Sequence, residues 1–172
     1  MFLVSDGCRA SRRKLIDRAA GADMVIRTIL AAIDFEWTLR RVILALGCTP
    51  TKVLCAKFDD PKFRKVEGLK KLWKEEVGAN PNVKAPTLVE LINHQMMPSY
   101  ETKERPWDCW NDAWGFRNRL VHGLQGSSGE KYGRNHSETL LLATDVLVDF
   151  ALKNKKDIFK PIRRVKAITN KK

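Results

Sequence analysis

The chain has 172 residues, 44% apolar and 30% charged, which suits a globular protein of one domain, or one domain with a tail. Its 32 basic and 20 acidic side chains leave a formal charge of +12, an excess that favours a polyanionic partner, nucleic acid first among them. No apolar run is long enough to span a bilayer and the start, Met1-Phe2-Leu3-Val4-Ser5-Asp6, is too short for a signal peptide, so a cytoplasmic protein without a membrane partner is expected.

Period-2 alternation is rare, and helical spacing recurs along the whole chain. Ser11 to about Leu46 reads as one long helix or two, with Gly21 as an interruption and Gly47 as a stop. A short helical piece is expected at Lys52 to Phe58. Asp60-Pro61 then starts a helix to Val77, carrying Phe63, Val66, Leu69, Leu72 and Trp73 and closed by Gly78. Pro86-Thr87 opens a segment through His94. Gln95 to Arg105 reads as a loop, and Pro106 begins a helix to Val121 or His122, terminated by Gly123. Gly123 to Gly133 reads as a mobile loop, and Ser137-Glu138 starts the last helix, through Leu152 or beyond. The expected architecture is all-α: an up-and-down helical bundle of four to five main helices across 1–172, with a basic tail from about 154 to 172.

Cys8, Cys48, Cys55 and Cys109 are scattered, without a Cys-x-x-Cys pair, and His94 and His136 lack metal-ligand spacing. Reduced thiols, no metal site and no cofactor are the expectation. Basic residues cluster at Arg12-Arg13-Lys14 and in the end segment from Lys153 to Lys172. Such runs bind nucleic acid or acidic proteins, or simply face solvent.

The helix that starts at Pro106 carries the most unusual pattern. Trp107, Trp110 and Trp114 share one stripe with Arg117 and Val121. Core packing accounts for the three Trp, with a base-stacking platform as the alternative. It does not account for Arg117, because a guanidinium on an apolar stripe is costly unless it is paired or lines a polar cavity. Asn118 and His122 lie four apart on one edge of that stripe, and His122 stands where the helix dipole favours imidazolium. Together Arg117, Asn118 and His122 suggest an anion site: Arg for phosphate oxygens, His for proton transfer, Asn for orientation. Arg117 and His122 differ by about 140° and roughly 7.5 Å of rise on a straight helix. Two copies meeting across a two-fold axis could present both pairs to one cleft, which makes a homodimer with a composite site an expectation.

The earlier helix has two apolar faces, Ala22, Ile26, Ile29, Leu30, Ile33, Trp37 and Leu44 against Phe35, Leu39, Val42 and Leu46, as expected of an enclosed helix. Its seams carry Asp34 near Arg41, and Glu36 four residues before Arg40. These can be internal pairs. Alternatively Asp34 or Glu36 fixes Arg117 from the neighbouring helix, with Arg40 and Arg41 available for phosphates.

Arg117-Asn118 and His122, set in a late helix followed by Gly123, resemble the motif of the HEPN superfamily: an Arg, a gap of four to six residues, then His, often with Asn directly after the Arg. The run Asp34-Phe35-Glu36-Trp37-Thr38-Leu39-Arg40-Arg41 is similar to the acidic-and-basic second helix of bacterial members. The resemblance covers about 26–46 and 107–152. It implies a metal-independent ribonuclease, a toxin or defence effector acting as a dimer, with an antitoxin or sensor as a partner. By that resemblance His122 would assist attack of the ribose 2′-hydroxyl or protonate the leaving oxygen, Arg117 would stabilise the phosphorane, and Asn118 would position one of them. Leu124 stands where one toxin subgroup has a Tyr, which argues against that subgroup's mode of regulation. The rival readings are a non-catalytic helical module that binds RNA or protein, and a structural role in which Arg117 satisfies a buried carboxylate.

Overall fold

The structure, a computed structural model, describes residues 8–63, 65–95, 106–122, 130–162 and 166. Gly21 adopts φ +54°, in the left-handed region open to glycine, and ends α1 (Arg9–Ala20). Two residues later Asp23 accepts bonds from the amides of Val25 at 2.8 Å and Ile26 at 3.1 Å, capping α2 (Met24–Leu46). The long early segment is therefore two helices. There follow α3 (Thr51–Asp59), a 3-10 turn (Pro61–Phe63), α4 (Val66–Glu76), α5 (Leu88–Gln95), α6 (Pro106–Val121) and α7 (Glu130–Lys153). Among the described residues there are seven α-helices and no strand, and no helix is long and apolar enough to cross a membrane.

α7 starts seven residues before the expected Ser137. A single helical Gly costs about 1 kcal/mol, and Gly133 sits inside a 24-residue helix that continues past it. Residues 96–105 and 123–129, expected as loops, lie outside the described residues, as does most of the tail beyond Ile162.

The chain divides into two compact units, Met1–Trp37 with Ile92–Val146, and Thr38–Leu91 with Leu147–Lys172. In the first, the buried side chains include Ile16, Ala31, Phe35, Trp107, Trp110, Phe116 and Leu140, with charge drawn in among them. Arg12 is 2% exposed and Asp34 4%. The Arg12 guanidinium donates to Asp34 through Nε, at 2.7 Å, and through Nη2, and lies 3.8 Å over the Trp37 ring. Burial pushes the Asp34 carboxyl above its ordinary value, against the pull of Arg12. Arg9 and Arg13 of α1 both reach Asp145 of α7, at 2.5 and 3.1 Å. Arg27 ties α2 to Asp17 of α1 and to Ser137 and Glu138 of α7. The Arg12-Arg13 run, a basic cluster in sequence, is thus spent on internal pairs. On α2, Ile26 and Ile33 remain 42% and 38% exposed, so this part of the helix is open on the face expected to be covered.

The second unit buries Leu39, Val42, Leu54, Leu69, Trp73 and Ile158, with Trp73 against Phe150 at 5.5 Å between ring centroids. At Gly68 a Cβ would stand 2.0 Å from the carbonyl oxygen of Lys62, so only glycine lets the 3-10 turn pack on α4. Ile158, in the expected tail, is 1% exposed, and Arg41 holds its carbonyl at 2.6 Å and that of Lys160 at 2.5 Å. The first part of that segment is therefore docked. Glu76, 2% exposed, accepts from Lys57 at 2.7 Å and from the hydroxyl and amide of Thr49 at 2.8 and 3.0 Å.

Breaking the Arg12–Asp34 pair from one side leaves a buried charge alone. Arg12→Met should cost about 3–5 kcal/mol in urea unfolding, and adding Asp34→Leu should recover most of it. Burial raises the Glu76 carboxyl, but its bonds to Lys57 and Thr49 outweigh burial and hold it below the ordinary value. Its stabilising contribution is therefore present above about pH 4.3, the unfolded value, and lost as pH falls through the lower folded value. Unfolding midpoints measured from pH 6 to 3 should fall less steeply in Glu76→Gln than in the wild type.

Candidate active site on helix α6

Pro106 opens α6 without needing an amide partner, and the next amide, Trp107, donates to the Asn93 side chain at 2.9 Å. From there Trp107, Trp110 and Trp114 stack in sequence, with centroids 4.7 and 5.4 Å apart and planes within 23° and 17°. Phe35 of α2 packs on Trp110 at 5.0 Å and on Trp114 at 6.2 Å. Trp107 and Trp110 are buried and Trp114 half-buried, so the stripe is core along its first two turns.

Arg117 is the next member of the stripe and is half-buried. Its Nη1 donates to Asn118 Oδ1 at 2.9 Å, its guanidinium carbon sits 5.3 Å from the Trp114 ring, and its Nε is buried without a hydrogen-bond partner. No carboxylate among the described residues pairs with it. The His122 amide bonds to the Asn118 carbonyl at 3.1 Å, so the helical turn continues through His122, whose side chain is exposed. Arg117 and His122 therefore keep the helical offset of about 140° that their spacing gives. The helix leaves one guanidinium with spare donor capacity and one imidazole at its open end, a combination suited to binding an oxyanion and moving a proton beside it.

The supporting residues are placed differently. Asp34 is taken by Arg12 rather than by Arg117, because α1 packs its Arg12 onto the same stretch of α2. Glu36 is half-buried on α2. Arg40 and Arg41 belong to the other unit, where Arg40 donates to the Phe58 carbonyl at 3.5 Å and Arg41 to the carbonyls of Ile158 and Lys160. Of the sequence pairings, Asp34 with Arg41 gives way to Asp34 with Arg12.

His136 joins this unit unannounced by the sequence. Its ring lies 4.6 Å from Phe116, and burial holds it below the ordinary histidine value, aided by Arg119 and opposed by Asp112. Asp112, Phe116 and Arg119, spaced four and three apart, form a second face of α6, and that spacing was the available signal. An expected helix start at Ser137 left His136 in a loop.

Comparison with protein-family models, with curated proteins and with solved structures finds no match for this chain.

A structural role for Arg117 predicts severe destabilisation on truncation. With no carboxylate to orphan, Arg117→Ala should instead cost about 1 kcal/mol or less in urea unfolding.

Proposed function

We propose that this chain is an endoribonuclease of the HEPN type, with Arg117, Asn118 and His122 as its catalytic group. The observation that supports this reading most directly is Arg117, a half-buried guanidinium with an unused Nε and no counter-charge among the described residues, five residues before an exposed histidine. A group in that state is best stabilised by an incoming oxyanion. In the reaction His122 accepts the proton of the ribose 2′-hydroxyl or delivers one to the leaving 5′-oxygen, while the 2′-oxygen attacks the adjacent phosphorus. Arg117 stabilises the extra charge on the equatorial oxygens, and Asn118, already bonded to Arg117, fixes its direction. The products are a 2′,3′-cyclic phosphate and a 5′-hydroxyl, and none of these steps uses a metal or other cofactor.

The offset between Arg117 and His122 supports a homodimer in which two α6 helices complete one cleft. Exposed Ile26, Ile33 and Val121, the last adjoining His122, supply apolar surface for such a contact. In the cell the activity fits a toxin or antiphage effector held in check by an antitoxin or a sensor.

Purified wild type, with EDTA present, should cleave RNA to cyclic-phosphate ends, and Arg117→Ala or His122→Ala should lower the rate by at least 100-fold with the fold retained. RNA bound but left intact by the wild type would make the chain a non-catalytic binding module. Equal cleavage by all three proteins would remove the assignment.

A further inference from the structure

The excess positive charge is not shared between the two units. Residues of the first unit carry 12 basic and 12 acidic side chains, and residues of the second carry 20 basic and 8 acidic. The whole +12 therefore belongs to the second unit, whereas the Arg117–His122 helix lies in the neutral one. In the first unit Arg9, Arg12, Arg13 and Arg27 are all committed to carboxylates.

The second unit also contains an open cavity of about 410 Å³, within the size range of small-ligand sites. Its lining includes Lys70, Lys71 and Lys74 of α4, above an apolar floor that includes Trp73 and Leu88. Residues 70 and 74 are one helical turn apart, so their stems rise from one side of α4, roughly 6 Å apart along its axis. The Glu67 carboxylate that meets Lys70 at 3.0 Å is 79% exposed, and the Glu75 that meets Lys71 is 3.9 Å away. Such surface pairs are worth little and exchange readily for a phosphate. Lys74 meets no carboxylate among the described residues.

We infer that α4 and this cavity form a docking site for single-stranded nucleic acid, with Lys70, Lys71 and Lys74 on successive phosphates and the apolar floor receiving a base or ribose. Charge complementarity selects a polyanion. The cavity selects a strand whose bases can leave the stack, which a duplex does not offer. Trp73 is 1% exposed and fixed by its Nε1 bond to the Pro86 carbonyl at 2.9 Å, so the floor offers apolar contact rather than a free ring for stacking. The inference is independent of the ribonuclease reading, because it stands whether or not Arg117 and His122 cleave what is bound.

The test is fluorescence anisotropy with a labelled single-stranded RNA across a salt series, in a His122→Ala background so that the probe stays intact. Substituting Lys70, Lys71 and Lys74 together by Gln should reduce the slope of log K against log salt by about 2, and weaken binding on the order of 10- to 100-fold at physiological salt. The same change at Lys52, Lys153 and Lys156, exposed residues of the same unit outside the cavity lining, removes equal charge and should weaken binding several-fold less. A duplex of equal length should bind more weakly than the single strand. The proposal is overturned if both triple variants lose the same affinity, if the α4 variant loses none, or if poly-L-glutamate or anionic phospholipid vesicles compete as well as RNA per unit charge.

Discussion

The buried pair between Arg12 and Asp34 sets the terms for everything else in the first unit. Two ions removed from water must satisfy each other, and Arg12 does so with two donors on one carboxylate and its flat face on Trp37. That fixes α1 against one stretch of α2. The neighbouring position, Phe35, is then left to meet α6, where it packs against Trp110 and Trp114. The polar and apolar contacts of α2 are thus consecutive in sequence and directed to different helices. Asp145, shared by Arg9 and Arg13, extends the same economy of charge to α7.

Because Arg12 of α1 takes Asp34 of α2, that carboxylate does not serve Arg117 of α6. A different pairing of helices would have turned Arg117 into a structural residue, its charge cancelled by Asp34 and its removal costly. Instead it keeps a hydrogen bond to the amide oxygen of Asn118, which orients a guanidinium without neutralising it. A neutral acceptor of that kind leaves the positive charge available to a ligand. The first unit, with as many acidic as basic side chains, has no net charge to attract a polyanion over distance, and under the docking proposal that task would fall to the lysines of the second.

Helix type and most helix ends were legible in the sequence, because they rest on local signals. Gly21, Gly78, Thr87 and Pro106 all mark boundaries near where they fall in the fold, whereas Pro61 opens only a 3-10 turn and α4 starts at Val66. The start of α7 was missed because Gly133 imitates a breaker, and a long helix overrides it. The α6 stripe was legible as well, since spacing alone aligns three Trp with Arg117. What could not be read was the choice among partners. Asp34 has Arg41 seven residues on and Arg12 twenty-two residues back, and nothing local favours the distant one. Ile26 and Ile33 matched a buried face by period, but period reports that a face is apolar, not that a neighbour covers it. Basic runs mislead in the same way: Arg12-Arg13 look like a ligand surface and are internal, while Lys70-Lys71 and Lys74 look like an ordinary solvated face and line a cavity.

The geometry of α6 also limits how the site can work. A single copy presents Arg117 and His122 on directions about 140° apart, so both reach one phosphate only if the long Arg side chain bends along the helix toward its C-terminus. Arg117 is tied in place by Asn118 on one side and lies near the Trp114 ring on the other, and bending it away would give up both contacts. His122 has no such tether among the described residues, being exposed at the helix end. In the homodimer proposed above, the less costly arrangement would keep each Arg117 where it lies and bring a second His122 to it. In that proposed dimer the tryptophan stripe would do more than fill the core: by fixing the guanidinium, it would make the histidine, and the copy of the chain that supplies it, the variable part of the site.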